Sequence, residues 1–152
     1  MHLANEISIR PVATQGDQPM QSEVCVNGVA TGQAVDGVIL EGAVECRGRY
    51  LLFLTDDVPA EDQLSIHLID GDGRLLDSAR IGAMYSTGSF SELKIQEPDT
   101  VAFRFIGETD WLVELFDGAR LQMPFVGERR GVARPLALRR WFRVEGRPLA
   151  QD

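Results

Sequence analysis

The chain has no long hydrophobic run, almost no lysine and no secretory leader pattern. No stretch of its 152 residues approaches the ~20 apolar residues that a membrane-spanning helix needs, so we expect no membrane association. Residues 1–6 show neither the basic nor the apolar region of a signal peptide, which predicts a cytoplasmic location. Lys94 is the one lysine among 15 basic residues, a bias typical of GC-rich bacterial genomes.

Cysteine and histidine are also scarce. Cys25 and Cys46 are too few for a disulfide-rich scaffold, and in a reducing compartment we expect two free, partly buried thiols. His2 is terminal and His67 lies in a predicted strand, so no group of cysteine and histidine residues has the spacing of a structural zinc site. We therefore predict neither a metal nor another cofactor.

Patterns typical of an active site are missing as well. A Ser-His-Asp arrangement would have to be built around His67, and the candidate partners are Ser86, Ser89 and Asp77. No nucleophile-elbow pattern accompanies them. The paired carboxylates stand in predicted turns, where solvated acids are expected, and not on two sides of a cleft as glycoside hydrolysis requires. The sequence thus favours a protein that is not an enzyme.

What the chain does have is a series of strand patterns separated by turn signals. The apolar run of residues 50–54 does not alternate with polar residues, which is typical of a strand covered on both faces. Further on, Leu64, Ile66 and Leu68 alternate with Ser65 and His67, the pattern of a strand with one buried face.

The segment Asp70-Gly71-Asp72-Gly73 joins this strand to the next one. It fails as a calcium-binding EF-hand loop, because Arg74, Leu75 and Ile81 occupy positions that the motif reserves for other residues. A loop of two or four residues would place the apolar side chains of both strands on one face: Leu64, Ile66, Leu68, Leu75, Ala79 and Ile81. A plain three-residue loop would put Arg80 on that face, so we disfavour it.

Two more dipeptides, Asn27-Gly28 and Asp117-Gly118, are strong signals of a tight hairpin turn. Gly42 marks a bulge or a close approach inside a strand, and Pro124 indicates a sheet edge or a strand end. Turn signals every eight to twelve residues delimit about nine strands, which predicts an all-β protein.

We predict a single β domain over residues 1–152, an antiparallel β-sandwich of eight or nine strands in two layers. A closed β-barrel is the alternative. Residues 1–22 are expected to be partly mobile. Pro135 at a first helical position and Gly146 just past the end predict a short C-terminal helix, and a strand over residues 136–144 stays an open alternative.

Charge is distributed unevenly along the chain. Residues 120–152 carry eight arginines and three acids, a net charge of +5, whereas residues 1–119 carry a net charge of −13. Because the whole chain has a formal net charge of −8, its surface would repel phosphates, and we do not expect nucleic acid as a partner.

Arginine and tryptophan are enriched among the residues that dominate protein interfaces. We therefore hypothesise a non-catalytic interaction or assembly module, in which the arginine-rich segment of residues 129–152 contacts an acidic surface. That surface belongs to the same chain, to a second copy or to a separate partner. The candidate contact residues are Arg129, Arg130, Arg134, Arg139, Arg140, Trp141 and Arg143.

The alternative hypothesis is a small-ligand site, or an enzyme, on a β-barrel. Residues 84–90 combine hydroxyl and aromatic side chains in one predicted loop, and binding sites tend to lie on such loops of a rigid β scaffold. The candidate ligand-binding residues are Tyr85, Ser86, Thr87 and Ser89.

Overall fold

A computed structural model of the chain is all-β. It describes residues 1–13, 16, 20–56, 63–82, 89–105, 109–121, 132–135 and 139–148, and this part contains strands and no helix. The strands are β1 (His2–Leu3), β2 (Ile7–Val12), β3 (Gln21–Val26), β4 (Val29–Asp36), β5 (Ile39–Cys46), β6 (Arg49–Thr55), β7 (Leu64–Ile69), β8 (Leu75–Ile81), β9 (Ser91–Gln96), β10 (Thr100–Arg104), β11 (Thr109–Leu121), β12 (Val132–Ala133) and β13 (Arg139–Pro148).

The strands form three antiparallel sheets, none of which closes into a barrel. The central sheet has the order β1-β5-β6-β7-β8-β12, the C-terminal sheet β13-β11-β10-β9, and the N-terminal sheet β2-β3-β4. The prediction of an all-β antiparallel fold is confirmed. The prediction of two layers is corrected, because the central sheet packs against a different sheet on each of its faces.

Strand β6 shows why both faces of the central sheet are covered. Leu51 and Phe53 belong to the core between the central and C-terminal sheets, whereas Leu52 and Leu54 belong to the core between the central and N-terminal sheets. All four side chains are fully buried. The expectation that the unbroken apolar run is a strand covered on both sides is therefore confirmed.

The predicted C-terminal helix is wrong. From Arg139 onward the segment is strand β13, and it pairs with β11 along most of its length. Phe142 and Val144 point into the core, and so does Arg140, the residue that made a strand look unfavourable. The cost of burying this charge is offset by a carboxylate in the facing sheet, so tertiary contacts outweigh the local helix propensity.

The register of the β7–β8 hairpin is as predicted, but its loop is not. Leu64 pairs with Ile81 and Ile66 with Ala79, so the apolar residues share a face. The connection has three residues, since the Asp70 N–H donates to the Arg74 carbonyl at 2.9 Å. A register shift farther along the pair restores the expected pairing. It also leaves Leu75 40% exposed, so the prediction that Leu75 faces the core is wrong.

The other turn signals have mixed outcomes. Asn27 and Gly28 have φ angles of 52° and 79° between paired Val26 and Val29, which confirms the predicted tight hairpin. At Asp117-Gly118 the prediction is wrong, because β11 continues through both residues and shifts register against β13 there. The predicted return strand at Pro124 lies outside the described residues.

Gly42 is a point of close approach, as its position inside a strand predicted. The β5–β6 pairing shifts register between Leu40 and Gly42, and a Cβ added at Gly42 would lie 2.9 Å from the Leu93 side chain. A larger residue at this position would require the end of the Leu93 side chain to move.

Candidate functional site

The carboxylate of Asp77 on β8 is a buried polar group with several hydrogen-bond partners. Its side chain is 2% exposed and accepts a charged hydrogen bond from Arg134 Nη2 to Oδ2 at 2.5 Å. Arg140 Nη1 lies 3.8 Å from Oδ1. The backbone N–H groups of Ser78 and Trp141 donate to Oδ1 and Oδ2 at 2.8 and 2.9 Å.

The two arginines use their other donors on backbone carbonyls. Arg134 Nε donates to the carbonyl of Ser78 at 2.8 Å and Nη1 to that of Phe142 at 3.2 Å, while its guanidinium lies 4.4 Å from the Phe142 ring centre. Arg140 Nη2 donates to the Pro135 carbonyl at 2.7 Å. We call Asp77, Arg134 and Arg140 the Asp77 clamp, because they tie β8, the segment after β12 and β13 together.

The Asp77 clamp is a buried ionic contact that holds these strands together. Each arginine side chain is 3% exposed, and the Asp77 carboxylate between them carries a compensating negative charge. A buried charge of this kind is tolerable only when it is paired and hydrogen-bonded. The described contacts of the clamp therefore join its three side chains to one another and to the backbone.

The other predicted contact residues lie elsewhere. Arg139 is exposed, and Arg143, whose side chain is 54% exposed, pairs with Glu114 at 2.9 Å and with Glu145 at 3.7 Å. Trp141 is half-buried, with the guanidinium of Arg49 4.6 Å from its ring centre. Arg129 and Arg130 lie outside the described residues. The structure thus brings Arg134 and Arg140 together and leaves Arg139 and Arg143 on the surface.

Most of the predicted ligand-binding loop lies outside the residues that the structure describes. Tyr85, Ser86 and Thr87 lie outside the described residues, and Ser89 is exposed.

Both cysteines are buried and free, as expected, and burial raises the pKa of the Cys46 thiol. Within the described ranges, no group of three or more histidine, cysteine, aspartate or glutamate side chains is placed to hold a metal ion. No helix in those ranges is long and apolar enough to cross a membrane.

A second polar cluster lies on the opposite face of β7 and β8 from the clamp. His67 Nε2 is 3.0 Å from the backbone carbonyl of Asp36, and Nδ1 is 2.8 Å from Ser78 Oγ. Since a carbonyl can only accept, Nε2 carries the proton and Nδ1 accepts from the serine hydroxyl. The partner that the sequence considered, Asp77, is on the other face, so no Ser-His-Asp arrangement includes it.

Burial lowers the pKa of His67, and the neighbouring Asp36 opposes this shift only in part. The unfolded chain therefore takes up a proton at this histidine before the folded protein does. The contribution of neutral His67 to the free energy of unfolding is fully present above the unfolded pKa of about 6.5, and it is lost as the pH falls below that value.

We predict that urea unfolding between pH 7.5 and 5 will show this loss in the wild type and a smaller one in His67→Gln, whose amide can keep both hydrogen bonds. The difference between the two proteins isolates the histidine from Asp56, whose pKa is raised by burial and which acts in the opposite sense. Parallel pH curves for the two proteins would contradict the assignment.

Comparison with known proteins adds no relative. No family model, curated protein or solved structure matches this chain.

The sequence did contain a signal for the clamp. Asp77 has the same parity as the inward-facing Ala79 and Ile81, and Arg140 has the same parity as Phe142 and Val144. Opposite charges at inward positions of two strands indicate a buried ion pair. This alternation is not visible when the arginines are grouped only by their position along the chain.

Proposed function

We propose that the protein is a non-catalytic assembly module that pairs with a second copy of itself through strand β13. The observation that carries the proposal is the position of this strand at the edge of its sheet, as far as the described residues show. β13 is the outermost strand of the C-terminal sheet, and β11 is its one strand partner in the described part of the chain. An edge strand with unpaired backbone groups is a template for adding another strand.

The side chains along this edge are complementary to themselves. An antiparallel pairing of two copies, centred on Val144, sets Arg143 of each copy opposite Glu145 of the other. Both residues lie on the outer face of the sheet, since Phe142 and Val144 point into the core. A two-fold axis repeats each contact, so one favourable charge pair becomes two, each worth about 0.2–1 kcal/mol.

The Asp77 clamp supports this edge by fixing its near end. Asp77 binds the Trp141 N–H, and Arg134 binds the Phe142 carbonyl, so neither group needs a partner from another chain. Pairing would therefore run from Arg143 onward on a strand that is already held in place. A strand fixed before binding loses less conformational entropy when its partner adds.

A charge exchange tests the proposal. We expect Arg143→Glu and Glu145→Arg each to weaken dimerisation by roughly tenfold to a hundredfold, because each places like charges opposite one another twice. The double variant Arg143→Glu/Glu145→Arg should restore the dimer. Sedimentation velocity over a range of protein concentrations measures the dissociation constant.

Arg139→Glu is the matched control, since it makes the same charge change on the same strand outside the paired region. A wild-type protein that stays monomeric at about 100 μM would refute the proposal. So would a double variant that dimerises no better than the single ones, or an equal loss in Arg139→Glu.

A further inference from the structure

A cavity of about 170 Å³ opens beside the His67 cluster, and none of the preceding contacts explains it. Its wall includes Ser65, His67, Ser78 and Arg80 from the central sheet, together with Asp36 and Arg134. A water molecule occupies about 30 Å³ of liquid, and sites for drug-sized ligands begin at about 300 Å³. The cavity therefore suits a small molecule, or one end of a larger one.

Ser65 is the first group that points to a ligand. The residue is 4% exposed, and its hydroxyl makes no hydrogen bond with the described residues. No fully enclosed side-chain nitrogen or oxygen in that part of the chain lacks a partner, so this hydroxyl is open to the cavity. Buried hydroxyl groups ordinarily have a hydrogen-bond partner, and here the open space is where one would be.

Arg80 is the second group. It lies directly opposite Ser65 in the β7–β8 pairing and lines the same cavity. Its Nη2 donates to Asp36 Oδ2 at 2.7 Å, which uses one of the five N–H donors of a guanidinium. Two neighbouring side chains on adjacent strands thus offer hydrogen-bond donors to one small space.

The other polar groups of the wall are already committed. Asp36 accepts from Gln21 Nε2 at 3.0 Å as well as from Arg80, and His67 is neutral with both ring nitrogens engaged. Arg134 belongs to the Asp77 clamp. The unused capacity of the cavity is therefore dominated by donors, and it calls for a ligand rich in acceptors.

The surroundings also limit the charge of that ligand. Asp56 interacts electrostatically with Arg80 and Asp36, and its pKa is raised by burial and by the neighbouring carboxylate. Because the Asp36 carboxylate already pairs with Arg80 and the Asp56 carboxyl lies nearby, a dianion such as phosphate would be a poor occupant. One negative charge shared over two oxygens matches the available donors better.

We propose that this cavity binds a small monocarboxylate, or the carboxylate end of a larger molecule, with Arg80 and Ser65 as its hydrogen-bond donors. The planar guanidinium provides the charged contact and the hydroxyl a second, orienting one. This site is separate from the β13 edge, so it can bind its ligand whether the protein is a monomer or a dimer.

NMR titration at neutral pH with propionate as the probe tests the proposal. We expect saturable shifts in the backbone amides of Ser65 and Arg80, and binding of the neutral analogue propionamide should be at least about tenfold weaker. Ser65→Ala should weaken propionate binding by roughly threefold to tenfold, and Arg80→Gln by more than about tenfold. Arg80→Lys, which keeps the charge but not the fork, should fall between the wild type and Arg80→Gln.

Arg104→Gln is the matched control, because Arg104 lies on the C-terminal sheet in an ion pair with Asp110 and outside the cavity. It should bind propionate like the wild type. Equal binding of propionamide, tighter binding of inorganic phosphate, or an equal loss in the Arg104 and Arg80 variants would each overturn the proposal.

Discussion

Replacing Asp77 by alanine is expected to lower the free energy of unfolding by about 3–5 kcal/mol. The substitution leaves Arg134 and Arg140 buried without their carboxylate, and it removes the acceptor of two backbone N–H groups. For a chain of this length the loss corresponds to a fall in melting temperature of roughly 6–20 °C. Urea unfolding followed by tryptophan fluorescence measures the effect.

Asp117→Ala is the matched control, since this carboxylate is 90% exposed and pairs with Arg47 at 3.1 Å. Its loss should change stability by less than about 0.5 kcal/mol. Replacing all three members of the Asp77 clamp by apolar residues of similar volume should recover much of the stability, because the desolvation cost disappears with the charges. A loss below about 1 kcal/mol in Asp77→Ala would contradict the role of the clamp.

Removing residues 139–152 is expected to prevent folding. The deletion takes away β13, with Phe142 fully buried and Val144 3% exposed, and leaves β11 without the partner on that side. Truncating a buried phenylalanine to alanine alone costs about 3–5 kcal/mol, and whole domains are stable by only about 5–15 kcal/mol. Circular dichroism and the dispersion of amide signals in a proton NMR spectrum report the outcome.

A chain that ends after Pro148 is the control, because it keeps the whole of β13. It should fold with a cooperative transition like that of the full chain, and Phe142→Ala should lie between the two. A folded, cooperative protein that ends at residue 138 would show that β13 is an accessory strand. If the deletion unfolds the protein as expected, self-association must be tested by single substitutions and not by deletion.

Local patterns were sufficient to predict the strands whose structure depends on neighbours in the chain. The unbroken run in β6, the alternation in β7 and the Asn27-Gly28 turn are set by a few adjacent residues, and the structure confirms them. The C-terminal helix failed because β13 is stabilised by β11 and by Asp77, contacts that no local pattern shows. The turn at Asp117-Gly118 failed because β13 supplies a partner strand along both sides of it.

The site was predicted only in composition. The sequence identified the arginines as unusual but grouped them by position along the chain, whereas side-chain alternation separates buried Arg140 from exposed Arg139 and Arg143. The cavity beside Ser65 and Arg80 could not be predicted from the sequence. Its wall depends on the contact between Asp36 and Arg80, which lie 44 residues apart and meet only through sheet packing. Such a meeting depends on the register of several strands at once.

The position of β6 has a consequence for how the molecule comes apart. Successive residues of this strand, Leu51 and Leu52, belong to two different cores, so neither core can be dismantled without disturbing a strand that the other requires. The two cores are therefore energetically coupled through one backbone, and we expect them to unfold together in a single cooperative step. A destabilising substitution in either the N-terminal or the C-terminal sheet should therefore lower the stability of both cores.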